Sequence, residues 1–358
     1  MPDVLQITRI DIPREGEDPS GDDLAELIGL RDADMRRVHG NDDHSLTVEQ
    51  ALQFWRDESD RRQLLFLARE GDAAVASGSV EFPLEAGDRT AGINVRVAYG
   101  RRGRGLGSAM LEHLEGLARD EGRSTAQAWT EHPPSAADRI EARTGWGSVP
   151  GDPSARFAAR RGYALEQVYR NSSLDIRSNL PLIRELLCTA RAVAHPAYRY
   201  LAWEIPTPDE HLEDFAWMKS RMSTDAPTGD VEVSEERWDA DRVRRLDARD
   251  RAAGFRKIVG AAQHVETGRL VAFNELLVDT AIPALTHQND TLVLREHRGH
   301  RLGLLVKCET LLRWLDVVPE TLRVETFNAE ENRPMLDINE AMGFVPVLYA
   351  GEWQKRLT

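Results

Sequence analysis

The chain carries one short motif twice, and this repeat limits what it can fold into more than any other feature. The first copy is Arg102-Gly103-Arg104-Gly105-Leu106-Gly107-Ser108, preceded by Val95 and Val97 and followed by Ala109-Met110-Leu111. The pattern predicts a strand, a tight glycine turn and a helix. Glycines let backbone N–H groups approach a ligand and adopt positive φ. The helix aims the positive end of its dipole at the same point, so the turn suits an anion such as phosphate. The second copy, Arg298-Gly299-His300-Arg301-Leu302-Gly303, follows Val293 in the second half of the chain.

The surrounding pattern also recurs. Each half reads β, α, α, β, β, β, glycine turn, α, β, α, β. In the first half, strands are expected at 4–12, 63–68, 73–82, 93–98, 125–129 and 165–176, and 132–152 reads as a loop or short helix. In the second, strands are expected at 198–205, 255–265, 269–277, 289–295 and 322–327, with a last one within 344–357. Two halves with one order imply a tandem duplication. A length of 358 residues suits about two domains. The expected division is a domain over 1–178, a linker helix over 179–196 broken at His195-Pro196, and a domain over 197–358.

Composition sets the class. A formal net charge of −14 argues against nonspecific nucleic-acid binding. It is compatible with steering a cationic substrate or with ordinary solubility. Two cysteines, Cys188 and Cys308, give neither a disulfide framework nor a metal cluster. No apolar run is long enough to span a bilayer, and no signal segment opens the chain. The expectation is a cytoplasmic protein without membrane partners. Nearly all positive charge is arginine, with lysine only at Lys219, Lys257, Lys307 and Lys355.

Two phosphate-binding classes fit poorly. A P-loop needs Lys-Ser or Lys-Thr after its last glycine, and Gly107 is followed by Ser108-Ala109. A dinucleotide fold puts its glycine turn after the first strand of a βαβ unit, whereas here it follows a strand that comes out of a hairpin. The arrangement resembles the GNAT N-acetyltransferase superfamily, whose signature Arg/Gln-x-x-Gly-x-Gly/Ala is met by Arg102 to Gly107 and covers both halves in layout. The resemblance implies an α/β (α+β) fold with a mixed, twisted sheet in two tandem modules. Two modules in one chain resemble the layout of mycothiol synthase.

The same resemblance implies acetyl-CoA, or another acyl-CoA, as cofactor. Its pyrophosphate would rest on Arg102, Gly103, Arg104, Gly105, Leu106, Gly107 and Ser108, or on Arg298, Gly299, His300, Arg301, Leu302 and Gly303. Its pantetheine would pair with Val97, Ala98 and Tyr99, or with Val293, Leu294 and Arg295. The second turn departs from the signature, with Arg301 at the middle glycine. The segment Asn332 to Phe344 resembles the family's late helix, making Asn332 and nearby Asn328 further cofactor contacts.

Transfer to an amine needs a base. Glu81 and Glu275 occupy equivalent strands before the turn-leading strand, Asp290 begins the second turn-leading strand, and Glu325 follows it; these are the candidate catalytic residues. The family's acid, a tyrosine four residues before the late Gly-aromatic pair, is absent: Gly162-Tyr163 and Gly343-Phe344 are preceded at that distance by Ala158 and Asn339. His297 and His300 read as surface or phosphate contacts, and Cys308 as core. The expected function is an acetyl-CoA-dependent N-acetyltransferase acting on a small-molecule amine, as a monomer or homodimer. The alternative is a noncatalytic acyl-CoA-binding or regulatory protein.

Overall fold

The structure is a computed structural model that describes residues 5–17, 22–135, 138–225 and 227–358. The first half runs β1 (Gln6–Ile10), α1 (Asp22–His39), α2 (Val48–Trp55), β2 (Arg61–Glu70), β3 (Ala73–Pro83), β4 (Thr90–Val97), α3 (Leu106–Asp120), β5 (Thr125–His132), β6 (Arg139–Glu141), β7 (Ser148–Pro150), α4 (Pro153–Arg160) and β8 (Ala164–Asp175). After α5 (Ile176–Ala194) the order recurs: β9 (Tyr198–Glu204), α6 (Asp209–Asp225), α7 (Ala240–Ala252), β10 (Phe255–His264), β11 (Leu270–Asp279), β12 (Leu285–Val293), α8 (Leu302–Val317), β13 (Arg323–Ala329), α9 (Arg333–Met342) and β14 (Val345–Arg356). The expected order thus holds in both halves. One segment differs: 139–150 forms the β6–β7 hairpin rather than a loop or helix, pairing Arg139 with Pro150 and Glu141 with Ser148. The expected strand at 4–12 begins within residues outside the described ones.

Packing divides the chain into two compact units that do not coincide with the halves. Unit 1 holds 1–168, 230–234 and 350–358; unit 2 holds 169–229 and 235–349. In unit 1 the sheet runs β1-β2-β3-β4-β5 and then the last residues of β14. In unit 2 it runs β9-β10-β11-β12-β13 and then the later residues of β8, with Arg323 opposite Asp175 and Ala329 opposite Tyr169. Each unit therefore takes its sixth strand from the other half of the sequence. Helix α5, expected as a linker, packs Ile183, Leu187 and Ala190 into the core of unit 2 beside Leu305 and Leu311 of α8.

Local sequence explains the elements that frame the sites. Thr47 and Gln50 cap α2 reciprocally, Gln50 N donating to Thr47 Oγ1 at 3.2 Å and Thr47 N to Gln50 Oε1 at 2.9 Å. Helix α3 buries Met110, Leu111, Leu114 and Ala118 along one stripe. Gly78 of β3 lets that stripe settle, because a Cβ there would lie 2.5 Å from the Met110 sulfur. Burying each of these large side chains contributes about 1.5–3 kcal/mol. Among the described residues no helix is long and apolar enough to cross a membrane.

Candidate functional site

Both units open a cleft in the same way. In unit 1, β4 and β5 pair in parallel only at Thr90–Thr125, Ala91–Ala126 and Gly92–Gln127, then diverge. Beyond Gly92, β4 keeps β3 on one edge and turns its other edge to the cleft. In unit 2, β12 and β13 pair at Leu285–Arg323, Thr286–Val324 and His287–Glu325 before they part.

The glycine turns close each cleft at the helix N-terminus. Gly103 and Gly105 take φ values of 79° and 87°, and Gly299 and Arg301 take 86° and 56°. The first intrahelical bonds are Ala109 N to Gly105 O at 3.0 Å and Leu305 N to Arg301 O at 2.9 Å. The preceding first-turn N–H groups have no helical acceptor and face outward as donors. The signature arginine is a staple. Arg102 Nε donates to Val97 O and Arg298 Nε to Val293 O, each at 3.2 Å. Arg102 also donates to Asp34 at 2.9 Å. Arg301 sends its guanidinium to Thr189 Oγ1 at 3.2 Å, so it leaves its backbone N–H in the turn. The amides of Ala98 and Leu294 are used by neighbouring strands, donating to Val75 O and Val271 O at 3.0 Å each, so neither is open to a pantetheine. Tyr99 is exposed, and Arg295 lies 4.0 Å from Asp225.

From this point the units differ. Unit 1 holds a cleft of about 820 Å³ between α1, β4, β5 and α4, with the turn at its mouth. Gly107 fits closely there, since a Cβ would lie 3.3 Å from Val97 and 3.5 Å from Phe157. Arg101, Arg160 and Arg161 line the mouth, and Arg101 shares Glu70 with Arg104 at 3.2 and 3.0 Å. Arg161 donates to the Ser108 hydroxyl. The α4 wall is held by a buried relay. Trp353 Nε1 donates to Thr130 Oγ1 at 2.7 Å, Thr130 bonds His132 Nε2 at 2.7 Å, and His132 Nδ1 bonds Asp152 at 2.9 Å. Asp152 in turn caps α4 through the amides of Ser154 and Ala155 at 2.9 and 3.0 Å. Burial would raise the Asp152 carboxyl, but the His132 contact outweighs it and holds it below the usual range. Tyr163 donates to Glu115 at 3.1 Å, and burial with that carboxylate lifts the phenol above its ordinary value.

A second space of about 490 Å³ lies between the sheet and α1 and α2 of unit 1, sharing Arg31, Ile93, Asn94, Arg96, Ala128 and Trp129 with the cleft. Glu81 lines it, pairing in register with Gly92, the last residue before the strands part. Its carboxylate meets Arg61 at 3.3 Å, and both side chains are about a third or more exposed. Glu131, which the sequence did not single out, lines the cleft and bonds His39 at 2.8 Å and Trp129 at 3.0 Å. Burial would raise Glu131, but these two donors pull it below the usual carboxylate range.

In unit 2 a smaller space of about 400 Å³ lies beside Lys219, Glu275 and Asp290, and polar side chains replace two of the unit 1 walls. Lys307 and Asn339 stand where Leu111 and Ala158 wall the unit 1 cleft. Lys307 Nζ donates to Asn339 Oδ1 at 2.7 Å, and Asn339 Nδ2 to Asn328 Oδ1 at 2.6 Å. Burial pushes the Lys307 ammonium down to about 7. Asn328, a predicted cofactor contact, is thus a member of this chain, while Asn332 opens α9 without a capping bond from its side chain. A bulge between Asn274 and Leu276 breaks the β11–β12 register at Glu275. Glu275 and Asp290 meet on one buried cation, Lys219, whose Nζ lies 2.9 Å from Glu275 and also bonds Asp290. Burial disfavours that charge, but the two carboxylates outweigh it and raise the Lys219 ammonium. Glu325 is bonded to Asn171 and Arg323 at 3.3 Å each. Cys308 is fully buried, and burial pushes its thiol up to about 12.

Comparison with known proteins fits this geometry. Residues 27–140 match the model of the Acetyltransferase (GNAT) family. No curated protein sequence matches the chain. A tandem GNAT protein from the clavulanic acid biosynthesis pathway, solved without acetyl-CoA, is similar with a TM-score of 0.76 at 23% identity over 99% of each chain. A GCN5-related N-acetyltransferase from Sphaerobacter thermophilus gives a TM-score of 0.60 at 14% identity, over 99% of this chain and 96% of that one. The chain has the tandem GNAT fold: the family model matches within its first half, and the same strand, turn and helix order is repeated in its second.

Proposed function

We propose that this protein is an acyl-CoA-dependent N-acetyltransferase acting on a small amine, and that unit 1 carries the chemistry while unit 2 keeps the fold. The observation that carries the reading is the joined pair of spaces in unit 1: a cleft ending at the glycine turn, and a second pocket opening from it beside Glu81. The residues fit an acyl-CoA. Free first-turn amides and the lining Arg101, Arg160 and Arg161 suit a diphosphate. The open edge of β4 over Ile93–Val97 suits the amides of an extended arm, as in strand addition.

Bound acyl-CoA supplies the activated acyl group. Glu81 accepts the proton that the amine loses as its nitrogen bonds to the acyl carbon. The open N–H groups of β4 are the donors at hand for a carbonyl placed at the splay. Ala158 offers no acid, and the Tyr163 hydroxyl is engaged by Glu115, so the thiolate leaves without a proton from either position.

Calorimetry with acetyl-CoA tests the assignment. One molecule per chain is expected, with binding abolished by Gly105→Asp and unchanged by Arg301→Asp. Two molecules per chain, or loss of binding on changing Arg301 alone, would overturn the assignment to unit 1. Binding without CoA release across an amine panel would favour the noncatalytic reading.

A further inference from the structure

Two guanidinium groups face the acceptor-side pocket of unit 1 with donors to spare. Arg96 lies on β4, on the same face as Gly92 and Asn94, and lines both the cleft and the pocket beside it. Among the described residues its one hydrogen bond goes to Asn94 Oδ1 at 2.5 Å, a neutral acceptor, and no carboxylate lies within ion-pair distance. A guanidinium has five donors, so most of its capacity is open. Arg31 of α1 lines the same two spaces. Its Nη1 is taken by Asp32 at 2.6 Å and the His44 carbonyl at 2.7 Å, and its other nitrogens make no bond among the described residues.

The nearby carboxylates are committed elsewhere. Asp34 is held by Arg102 at 2.9 Å and Arg37 at 3.1 Å, and Glu131 by His39 and Trp129. Burial, with Arg31 adding repulsion, depresses the Arg96 guanidinium below its ordinary value. A half-buried cation with no counter-ion and few acceptors gains from a bound anion.

We propose that Arg96 and Arg31 together bind an anionic group on the acceptor, so that the amine this protein acetylates also carries a carboxylate or phosphate. The inference rests on the preceding reading that this pocket receives the amine. Glu81 stands at the strand position opposite Gly92, and Arg96 follows four residues along the neighbouring strand, so one pocket presents a base at one end and an anion site at the other. Along the pocket wall Arg31 and Arg96 balance Glu81 and Glu352, so the site separates charge rather than carrying one sign.

The test separates the anion site from the cofactor site. Wild-type protein is titrated with N-acetyl amino acids, N-acetyl-O-phosphoserine and the matching neutral amides, following heat and thermal shift; acetyl-CoA is titrated in a separate arm. The anionic probes are expected to bind about tenfold or more tighter than their amides. Arg96→Gln should erase that preference and Arg96→Lys should restore part of it, with acetyl-CoA affinity unchanged in both. Equal binding of anionic and neutral probes, or no binding of any anionic probe, would overturn the proposal. So would a parallel loss of acetyl-CoA affinity in Arg96→Gln, which would place the arginine on the cofactor phosphates. A third arm compares succinyl-CoA with acetyl-CoA: arginine dependence confined to succinyl-CoA would move the anion to the acyl chain and end the acceptor reading. Failure of wild type to bind acetyl-CoA would sink the transferase reading and leave the probe result legible.

Discussion

Gly105 in unit 1 and Arg301 in unit 2 hold the same left-handed corner, at φ 87° and 56°, and in both units the signature arginine staples the corner to the strand before it. Past the corner the units part. Leu111 and Ala158 wall an open cleft, while Lys307 and Asn339 at the matching sequence positions form a buried hydrogen bond between α8 and α9. Both glutamates line a pocket, but Glu81 meets only a half-exposed Arg61, while Glu275 and Asp290 share the buried Lys219. The difference teaches where each property resides. The fold rests on backbone features that tolerate arginine in place of glycine, and the chemistry rests on a handful of side chains.

Glutamine at Glu81 and at Glu275, which lie on corresponding strands but not at matching positions, breaks or sharpens this contrast most strongly. Glu81→Gln should lower turnover by about 10²–10⁴-fold, the range for losing a general base. Its stability should stay within about 0.5 kcal/mol of wild type, because the position is partly exposed. Glu275→Gln should do the reverse, leaving turnover intact and destabilising the fold. CoA release and urea unfolding read the two effects, and equal loss of turnover in both variants would erase the distinction between the units.

Removing the cation shared in unit 2 comes next. Lys219→Met leaves two carboxylates facing each other without their counter-charge, and breaking such a buried arrangement costs about 3–5 kcal/mol. The low end is expected, because the Asp290 side chain is 39% exposed and water screens it. Adding Glu275→Gln and Asp290→Asn to Lys219→Met should recover most of the loss in urea unfolding. A Lys219→Met variant as stable as wild type would mean the cluster does not hold unit 2.

This asymmetry explains what the sequence could and could not reveal. Glycine turns, helix stripes and hairpins are local, so the order of elements was legible in both halves. The β6–β7 hairpin was hidden by a stretch rich in proline, glycine and alanine, whose pairing depends on contacts outside it. The exchange of β8 and β14 between units was equally hidden, because alternating apolar residues set the face of a strand and not its neighbour. Glu81 and Glu275 look alike in sequence; their difference comes from Lys219, 56 residues from Glu275 along the chain. Glu131, Arg31 and Arg96 gave no motif, and only the fold brings them to the cleft. One signal was available: lysine is rare here, and all four lysines make buried or half-buried polar contacts.

Lys307 offers a smaller test, one that varies with pH. Its ammonium drops from 10.5 to about 7 in the folded chain. Between those values the unfolded state binds more protons, so folding stability attributable to this group rises with pH, by about 1.4 kcal/mol per pH unit. Below pH 7 both states are protonated and the full cost of burial remains. Lys307→Leu, which copies Leu111, should therefore gain stability over wild type at pH 7 and lose most of that advantage by pH 10. A difference between variant and wild type that stays flat over this range would show that Lys307 is not buried as a cost to the fold.

The corner itself gives the smallest effect. A non-glycine residue in the left-handed region costs about 1–2 kcal/mol, and Arg301 bears that cost. Arg301→Gly removes the strain, loses the Thr189 contact and adds backbone entropy to the unfolded chain, so a net gain of about 0.5–1 kcal/mol is expected. The variant restores the complete signature to the second turn. Acetyl-CoA stoichiometry should nonetheless stay at one per chain, because Lys307 and Asn339 still stand in place of Leu111 and Ala158. A second bound acetyl-CoA in Arg301→Gly alone would show that the corner, and not the side chains behind it, decides which unit binds. Its appearance only when Lys307→Leu and Asn339→Ala are added would locate the difference between the units in those two residues.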